Sequence, residues 1–190
     1  MQKIATLKIA RFNSPLLLKE TTGSKVAGVT GVLFGAIGGG IGGGIQYKME
    51  EGNGRELQER FKLPDYGELV MNNFLKRAPI EVSNWPQMIP ENSPVKDDSN
   101  ISGHRLLIKV DMIKVKDGAG FLAETTASLQ DAEKNILWQK KFRYESKNHS
   151  RVSDLGKLEE ENGGLLREEY EFAAEKTTSN LIEDLNGSGK

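Results

Sequence analysis

The sequence predicts an α+β fold: an antiparallel sheet packed by a middle helix and a long C-terminal amphipathic helix. Three consecutive segments alternate apolar and polar residues with a period of two, short turn-like links join them, and a helix-periodic stripe follows. Strand periodicity with one wet face, then helical periodicity, is the pattern of helices segregated against an antiparallel sheet.

The first strand is expected over Ala5 to Phe12 (ATLKIARF), which is rich in β-formers and closed by the turn-like Asn13-Ser14-Pro15. Pro15 to Thr22 reads as a connector with a short apolar run, Leu16-Leu17-Leu18. Glu50 to Lys62 is charged and helix-compatible. Tyr66 to Arg77 places Leu69, Val70, Phe74 and Leu75 at helical spacing. Pro64 lacks an amide donor and separates the two helical pieces, and Asp65 is suited to cap the second. Ile80 to Trp85 reads as a strand, and Pro86 to Gly103 as a long polar loop.

The meander follows, over residues 104–144. His104 to Lys116 puts Leu106, Ile108, Val110 and Met112 on one face. Phe121 to Gln130 sets Phe121, Ala123, Thr125, Ala127 and Leu129 against Glu124, Thr126, Ser128 and Gln130. Ile136 to Tyr144 gathers Ile136, Trp138, Phe142 and Tyr144 opposite Gln139, Lys141 and Arg143. The links Asp117-Gly118-Ala119-Gly120 and Asp131 to Asn135 are short enough for hairpins. After a polar stretch from Ser146 to Gly164, Leu166, Tyr170, Ala173, Ala174, Thr177, Leu181 and Leu185 recur at steps of three and four. Glu168, Glu169, Glu171, Lys176 and Glu183 fall mostly off that stripe.

A length of 190 residues suits one domain with an appendage. The divisions expected are an N-terminal strand and connector (1–25), an apolar glycine-rich segment (26–45), the main α+β domain (50–186) and a disordered tail (187–190). A formal net charge of -1 leaves no basic field for phosphate neutralisation, so nucleic acid is not an expected partner. The absence of cysteine removes disulfides, thiol catalysis and cysteine-based zinc sites, and fits an exported protein. Lys3, Lys8 and Arg11 interrupt any signal-peptide core.

The most specific feature is a glycine zipper. Gly31, Gly35, Gly39 and Gly43 lie four apart and Ala27 extends the series backward, so on a helix they share a face almost without side chains. Such faces let two backbones approach closely within membranes. In water each helical glycine costs about 1 kcal/mol relative to alanine. With nine glycines between Gly28 and Gly44, an isolated aqueous helix is not expected. A bilayer changes that balance, because unpaired backbone groups there are more costly still. The uncharged run from Val26 to Ile45 is about long enough to cross the hydrocarbon core of roughly 30 Å. The triplets Gly38-Gly39-Gly40 and Gly42-Gly43-Gly44 could instead bend it into a re-entrant hairpin, which keeps the first strand on the same side as the main sheet. A glycine-rich loop without a membrane role is the third reading.

Chemistry is sparse. Gly38-x-Gly40-x-x-Gly43 matches a dinucleotide fingerprint formally, but glycine surrounds it where a strand and a helix are required. His104 and His149 have no partner at metal-ligand spacing. Asp97-Asp98, Glu159-Glu160-Glu161 and Glu168-Glu169 read as solvated acids, and Trp85 and Trp138 as core or interface residues. No catalytic residue, cofactor or metal site is predicted, and the protein is read as non-enzymatic.

The run SLQDAEKNILWQKKFRY, ending at Tyr144, resembles bacterial cell-envelope lipoproteins: a strand ending in aspartate, a short polar turn, then a strand carrying Leu137-Trp138. The helix from Leu165 to Leu185 and the early helix from Tyr66 fit the same pattern. The group includes auxiliary lipoproteins of lipid-transport ABC systems and curli-secretion-channel lipoproteins. The resemblance covers residues 65–185. It implies a domain on the periplasmic face of a membrane, the outer membrane by expectation, with a binding or assembly role. The group's lipid-bearing cysteine has no counterpart in this chain, and the zipper is foreign to the auxiliary lipoproteins. Two functions follow as expectations. One is an envelope-associated protein that inserts into lipid or forms a homo-oligomer or envelope complex through its zipper. The other is a soluble periplasmic module that binds lipid or peptide as a transport accessory.

Overall fold

The computed structural model describes residues 6–12, 15–19, 52, 54–81, 87–90, 104–116, 118–149, 151 and 155–187. Within them the expected α+β class is present. The strands are β1 (Thr6–Phe12), β2 (Leu16–Lys19), β3 (Gln87–Pro90), β4 (His104–Lys116), β5 (Gly120–Gln130) and β6 (Ile136–Glu145). The helices are α1 (residues 54–60), α2 (Tyr66–Glu81) and α3 (Leu155–Gly187), with a short 3-10 turn at Ser146–His149.

All six strands share one mixed sheet of order β3-β1-β4-β5-β6, with β2 also beside β4. β4, β5 and β6 form the expected antiparallel meander. Its second hairpin is closed by the Asp131 amide donating to the Asn135 carbonyl at 3.1 Å, and by the Asn135 amide donating to Asp131 Oδ1 at 2.8 Å. β1 and β2 both run parallel to β4, pairing Leu7 with His104 and Leu16 with Ile113, so they lie in tandem along one edge of a single long strand. Leu16 to Lys19, expected as a connector, is therefore a strand, and the chain continues past Asn13-Ser14-Pro15 without reversing.

The core lies between this sheet and the helices. Leu106, Ile108 and Val110 of β4, Phe121, Ala123, Ala127 and Leu129 of β5, and Phe142 and Tyr144 of β6 are buried against it. A β-bulge between Val110 and Met112 changes the alternation. The extra residue, Asp111, bonds outward to Thr126 and Lys109, so Ile113 and Val115 take the inward positions and Met112 does not. The expected place of Met112 on the core face is thus overturned by one inserted residue. Ile136 departs from expectation too, being 56% exposed at the outer end of β6.

The helices also correct the sequence reading. α1 ends at Lys62 with φ of 49°, where the Leu63 amide reaches back to the Gln58 carbonyl at 2.9 Å, a left-handed helix stop. Asp65 caps α2 as expected, its Oδ1 accepting from the Glu68 amide at 2.8 Å. α2 then runs through Pro79 to Glu81, so Ile80 and Glu81 are helical and the expected strand from Ile80 to Trp85 is not formed there; residues 82–86 lie outside the described residues. Tertiary partners hold this last turn. Arg77 pairs with Glu81 at 2.7 Å, Ala78 is fully buried, and the Asn186 side chain donates to the Glu81 carbonyl at 3.1 Å. The strand of this region is instead β3, inside the stretch expected as loop.

α3 begins at Leu155, within the stretch expected to be polar and non-helical, with Leu158 fully buried. It bends where Asn162 and Gly163 adopt φ of 57° and 75°. Gly163 is required twice over: its backbone is left-handed, and a side chain there would strike the Phe61 ring, with Cδ1 only 2.7 Å from the added carbon. Beyond the bend, the predicted stripe from Leu166 to Leu185 is buried as expected. Tyr66, Phe121 and Tyr170 form its aromatic centre, with ring centroids 4.6 to 6.0 Å apart.

Candidate functional site

Ala27, Gly31, Gly35, Gly39 and Gly43 lie outside the described residues, as do Asp97-Asp98 and the dinucleotide-like Gly38 to Gly43. The structure does fix where the two sides of that region sit. β1 and β2 precede it and share a sheet with β4, which follows it. Gly54, at the start of α1, packs so closely on the Leu16 backbone that a Cβ would collide with the Leu16 carbonyl. The described residues on the two sides of that region, β2 and the start of α1, are therefore in direct contact. Among the described residues no helix is long and apolar enough to cross a membrane.

The acids and histidines of the sequence separate on folding. Glu168 is exposed, but Glu169 is only 1% exposed, contrary to the reading of both as solvated. Its carboxylate accepts hydrogen bonds from Tyr144 Oη at 2.9 Å and Ser146 Oγ at 2.7 Å, and it pairs with the Arg151 guanidinium. Burial, then the hydrogen bond to Glu169, pushes the Tyr144 phenol up, and Glu169 raises Arg151 further. A buried carboxylate needs such partners because its desolvation is otherwise uncompensated. His149 is exposed and stacks on Tyr144, with centroids 4.9 Å apart and planes 6° apart, while Arg151 lies 4.5 Å over the Phe172 ring. Every polar partner of Glu169 belongs to the fold's own corner, so the cluster serves to fasten β6 and the following turn to α3. Sequence spacing gave no sign of it, since the partners lie 18 to 25 residues away. Among the described residues no group of three His, Asp or Glu side chains is placed to hold a metal ion.

A different kind of site runs along the end of the sheet. Among the described residues β6 has one sheet neighbour, β5, and so presents a backbone edge on its other side. An open groove of about 610 Å³ lies between this edge and the C-terminal half of α3, lined by Lys140 to Arg143 on the strand and by Asn180, Glu183 and Asp184 on the helix. Trp138 Nε1 donates to Asp184 Oδ2 at 3.0 Å and Lys140 pairs with Asp184 at 3.2 Å, which fixes the spacing of strand and helix. On the opposite face of the sheet Lys141 meets Glu124 at 2.6 Å, and Arg143 meets Glu124 and Glu145. Leu137, at the start of the strand beside Ile136, is 53% exposed. Trp138 was anticipated as a core or interface residue, and it is partly buried against the core at this margin.

Fold and site together define an α+β domain with a mixed sheet, helices on one face and an accessible strand edge. No family model matches the chain, and no curated protein does. Among solved structures it is similar to an uncharacterized protein at 6% identity and a TM-score of 0.41, over 95% of this chain and 90% of that one. It is also similar to protein XCC0632 from Xanthomonas campestris, of the DUF330 family, at 14% identity and a TM-score of 0.42, over 95% and 82% of the two chains.

Proposed function

We propose that this chain is a non-enzymatic, envelope-associated protein whose glycine zipper inserts into lipid or self-associates while its α+β domain serves binding and assembly. The observation that carries this reading is the adjacency of Leu16 and Gly54. A segment whose flanking residues touch cannot cross a bilayer once without placing β2 and α1 on opposite sides. Of the membrane arrangements open to Val26–Ile45, the adjacency therefore favours a re-entrant hairpin or packing against another copy. In both, Ala27, Gly31, Gly35, Gly39 and Gly43 supply the close-approach face.

The test replaces that face. Gly35→Leu combined with Gly39→Leu should leave the far-UV circular dichroism of the sheet unchanged. The variant should no longer float with phosphatidylethanolamine–phosphatidylglycerol vesicles, and its detergent-solubilised assembly should be smaller. Flotation and assembly size equal to the parent chain would refute the proposal.

The groove beside β6 favours a second reading, a periplasmic accessory module that binds peptide or lipid. Deleting residues 26–45 should then leave the domain soluble and its ligand binding intact, and lipid extracted from the purified protein would identify the ligand class.

A further inference from the structure

Resting on the reading of the α+β domain as a binding module, we infer that the β6 edge takes up an extended segment of a partner protein by strand addition, and that this segment alternates acidic and apolar residues. Strand addition uses the backbone of an open sheet edge for affinity and the side chains on the two faces for selection. β6 offers both. Its outer face carries Lys141 and Arg143, 56% and 59% exposed at the side chain. Each meets Glu124 on one side, yet a lysine ammonium has three N–H donors and a guanidinium five, so both retain capacity toward an incoming carboxylate. The helix-side face of the groove carries the buried Phe142 beside Lys140, whose charge Asp184 neutralises, with Asn180 and Glu183 on the facing helix. Because side chains alternate along a strand, a partner with acids opposite Lys141 and Arg143 necessarily turns its intervening residues toward the groove.

The same cations disfavour a second copy of this chain as the occupant in most registers centred on the basic part of β6. Pairing two β6 strands about a two-fold axis requires one residue to sit opposite itself. Centring on Lys140 or Lys141 sets that lysine against its own copy, and centring on Phe142 sets Lys141 against Arg143, whereas centring on Gln139 sets Lys141 against Leu137 and avoids the clash. Like charges directly opposite each other are destabilising, and lysines on an edge strand are a recurrent device against self-pairing. Self-pairing is thus disfavoured in the three registers centred on Lys140, Lys141 and Phe142, whereas an acidic strand is favoured wherever its carboxylates fall opposite Lys141 and Arg143.

A short synthetic peptide alternating glutamate and valine is the probe, titrated into the ¹⁵N-labelled full chain in detergent. Amides of β6 should shift, and affinity should fall as salt rises. Glutamine in place of glutamate, or N-methylation of alternate peptide bonds, should each weaken binding by about tenfold or more. Lys141→Glu with Arg143→Glu should lose this peptide and acquire its lysine–valine counterpart. Lys141→Gln with Arg143→Gln, which spares Glu124 a repulsion, should lose the first without gaining the second. Undiminished binding of the N-methylated peptide would reduce the effect to charge adhesion and overturn the inference, as would shifts elsewhere than β6 or a dimer formed through β6. Vesicle flotation of the same preparations reads the zipper separately, so peptide failure with flotation intact sinks this inference alone.

Discussion

The phenolic hydroxyl of Tyr144, at the end of β6, donates to the buried carboxylate of Glu169 on α3 at 2.9 Å. The Ser146 hydroxyl donates to the same oxygen at 2.7 Å while accepting from the Phe121 amide at 2.9 Å, and Arg151 neutralises the charge. One carboxylate thereby fastens two strands and a turn to the long helix. Glu169→Ala should cost about 3 kcal/mol in urea denaturation, because it strands several polar partners at a buried corner. Arg151→Ala should be less than additive with Glu169→Gln in a double-mutant cycle, since the cation has no purpose there once the carboxylate is neutral.

Two glycines of equal φ give a matched pair. Gly118 and Gly163 both sit at 75°, but an added Cβ meets nothing within 4 Å at Gly118 and meets the Phe61 ring at Gly163. Gly118→Ala should cost about 1 kcal/mol, the backbone term alone. Gly163→Ala should cost about 2 kcal/mol more, because the ring must shift in a packed core. Chemical denaturation of the two variants measures the difference.

The buried tyrosines are expected to diverge on losing their hydroxyls. Tyr66 Oη lies 3.0 Å from Thr177 Oγ1, whereas Tyr170 Oη is buried without a hydrogen-bond partner among the described residues. Tyr66→Phe should destabilise the protein by about 1 kcal/mol. Tyr170→Phe should be neutral or stabilising, since it removes only an unmet desolvation cost. Thermal unfolding of both variants provides the comparison.

Alkaline pH should unfold the domain through these same phenols. Burial raises the pKa of Tyr66, Tyr144 and Tyr170 alike, with the Glu169 hydrogen bond adding to the rise at Tyr144. A raised folded pKa leaves stability complete below the ordinary tyrosine value of about 10, and stability is lost as pH climbs from there toward the folded values. Tyrosinate absorbance of these three should therefore appear together with the loss of near-UV circular dichroism. Early titration of all three in an intact fold would contradict the burial described.

Much of the architecture was legible because alternation and helical spacing are local. The meander, both hairpins, the Asp65 cap and the stripe from Leu166 to Leu185 stand where the pattern put them. The bulge at Asp111 was not legible: its cause is the outward bonding of one carboxylate to Thr126 and Lys109, and its effect is to exchange Met112 for Ile113. The last turn of α2 was misread because Pro79 signals a stop that Arg77, Ala78 and Asn186 override from outside the local sequence. Glu169 looked like one of many surface acids, since only the folded chain brings Tyr144, Ser146 and Arg151 to it. The edge character of β6 was equally hidden, because strand order is a property of the whole sheet. The acids, histidines and tryptophans of the sequence pointed to no reaction, while the Ala27–Gly43 series lies outside the described residues.

The tandem of β1 and β2 against β4 also sets an order of events during synthesis. The first two strands leave the ribosome early, yet the strand they both need is encoded far downstream, after the glycine-rich stretch and two helices. They must wait unpaired while that stretch emerges, so a chain arrested before β4 offers open edges beside its most apolar run. Any chaperone or insertion factor that meets this protein has its natural window there, before the meander closes the sheet.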